Sequence, residues 1–67
     1  MLIRSKSENS LIDFNGNGIC CSNGYVGCMC GGGFIKIKST RDYTESKQII
    51  DMIQTAYLAG EKIVEIQ

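Results

Sequence analysis

The most reactive side chains in this sequence are four cysteines, Cys20, Cys21, Cys28 and Cys30, gathered in one short stretch of a chain that has no histidine. Four thiolates are the number that a closed tetrahedral zinc site takes, and such sites are built from pairs of ligands two to four residues apart, so that a tight turn aims both at one metal. Here the pairs are adjacent (Cys20-Cys21) and alternate (Cys28-Met29-Cys30). Adjacent residues of a strand point to opposite faces, so this spacing argues against a metal. A nucleophilic thiol needs a nearby base or cationic neighbour, and no histidine base exists. No catalytic residue, metal ligand or cofactor is therefore assigned.

Other constellations are equally spare. Gly31-Gly32-Gly33 would cradle a phosphate if it opened a helix, but a strand pattern follows it, and the Lys-Ser/Thr of a P-loop is missing. The carboxylates Asp13, Glu45, Asp51, Glu61 and Glu65 form no pair suited to acid–base work. Tyr25 stands out, as an aromatic beside Gly24 and near Gly27, where it can stack on a sugar or a base. Lys36, Lys38 and Arg41 are the nearest approach to a basic cluster. The ligand-binding residues expected on this reading are Asn23, Gly24 and Tyr25, with Lys36 and Lys38 supplying charge to an anionic ligand.

The elements that must position these residues are marked by glycine. Asn-Gly between apolar runs is a strong hairpin signal, because a type I′ turn needs positive φ at both central residues. A two-residue turn at Asn23-Gly24 pairs Ser22 with Tyr25, Cys21 with Val26, Cys20 with Gly27 and Ile19 with Cys28. Alternation then puts Ile19, Cys21, Val26, Cys28 and Cys30 on one face, and Cys20, Ser22, Tyr25 and Met29 on the other. Thiols among apolar residues resemble buried free cysteines. A four-residue loop from Asn23 to Val26 would set Cys21 opposite Cys28 instead, a geometry for a cross-strand disulfide. Free thiols, disulfides and a metal-bound state all stay open.

Strands are expected over Leu2 to Lys6, Ser10 to Phe14, Ile19 to Ser22, Tyr25 to Cys30 and Phe34 to Lys38. In the last, Ile35 and Ile37 share one face, and Lys36 and Lys38 the other. The period then changes: Ile49, Ile50, Ile53, Ala56 and Tyr57 form a helical stripe on a helix from about Thr44 to Ala59. Asp42 caps its start, with Glu45 three residues on, and Gly60 takes the left-handed position after its end. Lys62 to Ile66 reads as a closing strand. The fold class is α+β: five short strands, one helix and a final strand, in a small OB-like or open arrangement.

At 67 residues this is a single domain. Such a chain buries only about 60% of the surface it exposes when unfolded, which makes association between copies an expected source of stability. Seven Lys and Arg balance seven Asp and Glu, without the basic stripe of a nucleic-acid binder. No apolar run approaches the roughly 20 residues that span a bilayer. The opening Met1-Leu2-Ile3-Arg4-Ser5 does not read as a secretory signal, so the chain is expected in the cytoplasm, or outside the cell if a signal has been removed.

From Phe34 onward the sequence resembles the C-terminal half of pertussis-toxin-like and subtilase-type B subunits. The resemblance is carried by Phe34-Ile35-Lys36-Ile37, the helix through Ile49 to Tyr57, and Ala56-Tyr57-Leu58-Ala59-Gly60-Glu61-Lys62-Ile63-Val64 leading into Glu65-Ile66. It implies a small OB-like barrel that assembles into a homo-oligomeric, pentameric ring and binds glycans. Compact chains of this kind are also expected from phages and mobile elements, where a ring in the host cytoplasm would sequester a nucleotide-like ligand. The expected function is non-enzymatic ligand binding. Two other classes compete: an anti-defence inhibitor that blocks a host protein through a sheet edge, and a cysteine-stabilised or zinc-binding structural adaptor.

Overall fold

Asn23 and Gly24 both adopt positive φ, +51° and +79°, as a type I′ turn requires, and the hairpin they close organises half of the molecule. The computed structural model describes residues 1–67. Its elements run β1 (Leu2–Ser5), β2 (Ser10–Asp13), β3 (Gly18–Ser22), β4 (Tyr25–Cys30), β5 (Gly33–Ser39), α1 (Tyr43–Leu58) and β6 (Ile63–Ile66). The protein is thus a small α+β fold with six strands and one helix.

The strands form two three-stranded sheets. In the first, β1 lies between β2 and β6, antiparallel to β2 and parallel to β6, with Leu2 opposite both Asp13 and Ile63. In the second, β4 lies between β3 and β5, antiparallel to both. The β3–β4 register sets Ser22 opposite Tyr25, Cys21 opposite Val26, Cys20 opposite Gly27 and Ile19 opposite Cys28, which is the two-residue-turn alternative.

Each sheet turns one face to the core, and α1 adds its stripe to it. Ile3, Ile12, Val64 and Ile66 from the first sheet, Val26, Cys28 and Ile37 from the second, and Ile49 and Ile53 from the helix form one core. Ile50 and Ala56 flank it while half-buried. Tyr57 is corrected from core to surface: half of it is exposed, and its ring meets Phe14 edge-on at 5.4 Å. A direct link between the sheets comes from Ser5 and Ser7, whose hydroxyls both donate to the Ile37 carbonyl.

Both helix ends are satisfied locally. Asp42 Oδ1 accepts from the Glu45 amide at 2.9 Å, covering a donor that the first turn leaves free. Glu45 does not return the bond to complete a capping box; its carboxylate accepts from Arg41 Nε instead. At the other end, Gly60 donates to the Tyr57 carbonyl and Glu61 to that of Ala56, the paired bonds of a Schellman motif. No helix is long and apolar enough to cross a membrane.

Two expectations about faces are corrected. The register shifts between Val26 and Gly27, leaving Lys36 opposite Gly27 but Lys38 opposite Val26. Such a bulge interrupts simple alternation, so the two lysines do not work as a pair. Cys21, expected among the apolar residues of its face, is exposed, because its neighbours there are Ser46 and an open cleft at the start of α1.

Candidate functional site

The outer face of the second sheet carries Tyr25 and Met29 from β4 and Phe34 and Lys36 from β5. Gly27 makes this face concave. A Cβ built at Gly27 would lie 2.8 Å from Phe34 Cε1 and 2.6 Å from the Ile35 carbonyl oxygen, so only a residue without a side chain lets the ring settle onto the strand. Lys36 Nζ then stands 4.2 Å from the centroid of the Tyr25 ring, within the range of a cation–π contact. Together with Cys20, Ser22 and Asn23 these residues line a concavity of about 540 Å³.

The arrangement can offer a flat or ring-bearing ligand two aromatic surfaces, a thioether and one cation. Lys36 takes part in none of the chain's three ion pairs, Lys6–Glu65, Arg41–Glu45 and Lys47–Asp51. Apart from the Tyr25 ring its ammonium has no partner, and no carboxylate lines this concavity, although Glu8 lines an adjoining one with Phe34 and Lys36.

A second cleft of the same volume, about 540 Å³, lies between the hairpin tip and the start of α1, where Gly24, Thr40, Arg41, Asp42, Tyr43 and Lys47 contribute to its walls. Both of its cations are already paired. Arg41 holds Glu45 at 3.3 Å and Lys47 holds Asp51 at 2.8 Å. The Asp51 contact raises the pKa of Lys47 above the ordinary lysine value. Ser46, almost fully buried in this wall, shares hydrogen bonds with Thr40 Oγ1 at 2.8 Å and Cys21 Sγ at 3.4 Å, and donates to the Asp42 carbonyl at 3.1 Å. The cations of this cleft are neutralised where they stand, which makes the outer sheet face the better ligand site.

The expected site residues therefore divide. Asn23, Tyr25 and Lys36 share the outer concavity, whereas Gly24 lines the cleft by the helix. Lys38 is elsewhere, donating to the Gln67 carbonyl at 3.2 Å. Sequence reasoning missed Phe34, Met29 and Cys20 as wall residues. The available signal was Phe34 two residues before Lys36, which puts both on one face of a strand.

The four thiols are all free and differ in setting. Cys20 faces the outer concavity and Cys21 the helix. Cys28 is fully buried, and its Sγ lies 2.9 Å from that of half-buried Cys30. Burial first, then the hydrogen bond and charge of Cys30, push the Cys28 thiol up to about 12. Asn17 Nδ2 donates to Cys30 Sγ at 3.5 Å. No group of three or more Cys, Asp or Glu side chains is placed to hold a metal ion. Comparison with protein-family models, curated proteins and solved structures finds no match.

Proposed function

We propose that the protein is a non-catalytic binding module whose outer β3–β4–β5 face takes a nucleotide-like ligand in the cytoplasm, stacking its base on Tyr25 or Phe34 and pairing its anionic group with Lys36. The observation that carries this reading is the uncompensated Lys36 ammonium 4.2 Å over the Tyr25 ring, inside a concavity that also holds Phe34. A flat, anionic ligand matches both features, whereas a neutral glycan would use the aromatic surfaces and leave the cation idle. An OB-like arrangement is part of the proposal, since folds of that kind bind ligands on a sheet face flanked by loops. Assembly into a homo-oligomeric ring is also part of it, supported by the exposed Leu2, Leu11 and Ile63 on the outer face of the first sheet.

Calorimetric titration with mononucleotides, dinucleotides and neutral oligosaccharides tests the ligand. Binding is expected for the nucleotides, weakened about 5- to 150-fold by Tyr25→Ala, as loss of one stacked base costs about 1–3 kcal/mol. Lys36→Ala is expected to weaken binding and to flatten its salt dependence. Saccharide binding with no response to Lys36→Ala would replace this reading by the glycan one.

A second reading is favoured by the open sheet edges. β2 and β3 each have one neighbour in their sheets, leaving a row of backbone groups that a partner protein's strand can pair with. Such a partner would be retained by Tyr25→Ala and lost when a proline interrupts β3.

A further inference from the structure

We propose that Cys28 and Cys30 form a dithiol site that is reversibly oxidised to a disulfide by exchange with low-molecular-weight disulfides, entering through Cys30. The two residues flank Met29 on β4 and send their side chains to the same face, where the sulfurs lie 2.9 Å apart. That is closer than two sulfurs ordinarily approach without a bond between them. Their accessibility differs in a way that assigns an order to the chemistry. Cys28 is fully buried in the core. Cys30 is half-buried and lines an open concavity of about 360 Å³, shared with Ser10, Asp13, Asn15 and Asn17. A small reagent in solution meets Cys30 and cannot meet Cys28.

In the first step the Cys30 thiolate, with the Asn17 amide donating to its sulfur, attacks one sulfur of the small disulfide. A Cys30–S–S bond to one half forms, and the other half departs as a thiolate that takes up the proton Cys30 gave to solvent. In the second step Cys28 loses its proton and attacks the Cys30 sulfur, expelling the remaining half as a second thiol. The sum is two protein thiols and one small disulfide giving one protein disulfide and two small thiols, with no other oxidant. Once Cys30 is in the mixed disulfide it has neither charge nor thiol hydrogen, so both of its contributions to holding the proton on Cys28 disappear. The Cys28 sulfur, already 2.9 Å from that of Cys30, is the nearest thiol to resolve the intermediate.

The neighbouring thiols lack this arrangement. Cys20 and Cys21 point to opposite sides of β3, and Cys21 Sγ contacts only a serine hydroxyl. Neither has another thiol within hydrogen-bonding distance, as Cys30 has in Cys28. The Cys28–Cys30 bond is expected to open easily: two strand rises of about 3.3 Å put the Cα atoms near the upper end, about 6.8 Å, of what a disulfide spans. Strained bridges are the readily reduced ones.

The test exposes the folded full chain to oxidised glutathione, quenches with acid, alkylates the remaining thiols and maps the peptides. The expected product has lost two hydrogens, carries alkyl groups or glutathione at Cys20 and Cys21, carries neither at Cys28 or Cys30, and reverts with reduced glutathione. Cys28→Ala is expected to trap glutathione on Cys30. The wild-type map decides the matter even where that variant folds poorly. Alkylation of both Cys28 and Cys30 after prolonged exposure, glutathione persisting on wild-type Cys30, or a bridge that includes Cys20 or Cys21 would overturn the proposal.

Discussion

The Phe34 ring rests in the place where a side chain on Gly27 would begin, one strand away and on the same outer face. The pairing couples a backbone requirement to the shape of the candidate site. Gly27→Ala is expected to destabilise the protein by about 1–3 kcal/mol, as overpacking does, because the ring can swing away but the Ile35 carbonyl at 2.6 Å cannot. Phe34→Leu should relieve only part of the loss. Urea denaturation of the two single variants and the double variant measures both effects. A Gly27→Ala midpoint equal to wild type would show that the strands separate there at little cost.

Ile53 is the helix's most deeply buried aliphatic residue, 2% exposed between the two sheets. Ile53→Ala should cost about 2–5 kcal/mol, the range for emptying a buried aliphatic site. Met52, one position away and half exposed, serves as the control: Met52→Ala should change the denaturation midpoint little. Equal losses for the two would mean that the helix is rotated from the orientation described.

Cys28 makes stability depend on pH in alkaline solution. Its pKa is held up from 9.0 to about 12 in the folded protein, chiefly by burial, so above pH 9 the unfolded chain releases a proton that the folded chain keeps. The contribution is complete below pH 9 and is lost as pH rises from 9 toward 12, at no more than about 1.4 kcal/mol per pH unit. Tyrosines and lysines titrate in the same window, so the measured quantity is the wild-type stability minus that of Cys28→Ala across the series. A difference that stays flat to pH 11 would contradict the assignment.

The first sheet should mediate self-association. Its outer face exposes Leu2 and Ile63, direct neighbours across the parallel pair, and Leu11 is 57% exposed on the adjoining strand. Sedimentation at micromolar concentration is expected to give a species heavier than one chain, and Leu11→Lys combined with Ile63→Lys should return it to a monomer. Wild-type protein that sediments as a single chain removes the ring from the proposal.

Local signals in the sequence were enough to place every element to within about one residue of its observed bounds. Asn23-Gly24 marked the hairpin and narrowed its register to two alternatives, of which the structure has the two-residue turn, and Asp42 and Gly60 marked the helix. The misplaced features share a cause, which is that they depend on residues distant in the chain. The bulge at Val26/Gly27 separates Lys36 from Lys38, and a period-two pattern cannot register an extra residue opposite a partner strand. The exposure of Cys21 depends on where α1 begins relative to an edge strand. The spacing of Phe34 and Lys36 put both on one face, but how closely the ring settles there depends on Gly27 on the next strand. Partition of six strands into two sheets was illegible for the same reason, since alternation says which face is apolar but not which strand lies alongside.

The parallel pairing of Leu2–Ser5 with Ile63–Ile66 also shapes how the chain reaches its native state. The β3–β4–β5 sheet is made of neighbouring hairpins and needs only short loops to close. The first sheet, by contrast, joins segments from opposite ends of the described chain, and such high-contact-order pairing is the slow event in folding. Pulsed hydrogen exchange should protect Val26 and Cys28 amides before those of Ile3 and Val64; simultaneous protection would indicate a single concerted step. On the ribosome the order is stricter. The β1–β2 hairpin emerges early and waits, with Ile3 and Ile12 uncovered, until synthesis passes Ile66, so the interval of greatest aggregation risk is set by how fast everything between Asp13 and Ile66, the second sheet and the helix, is translated.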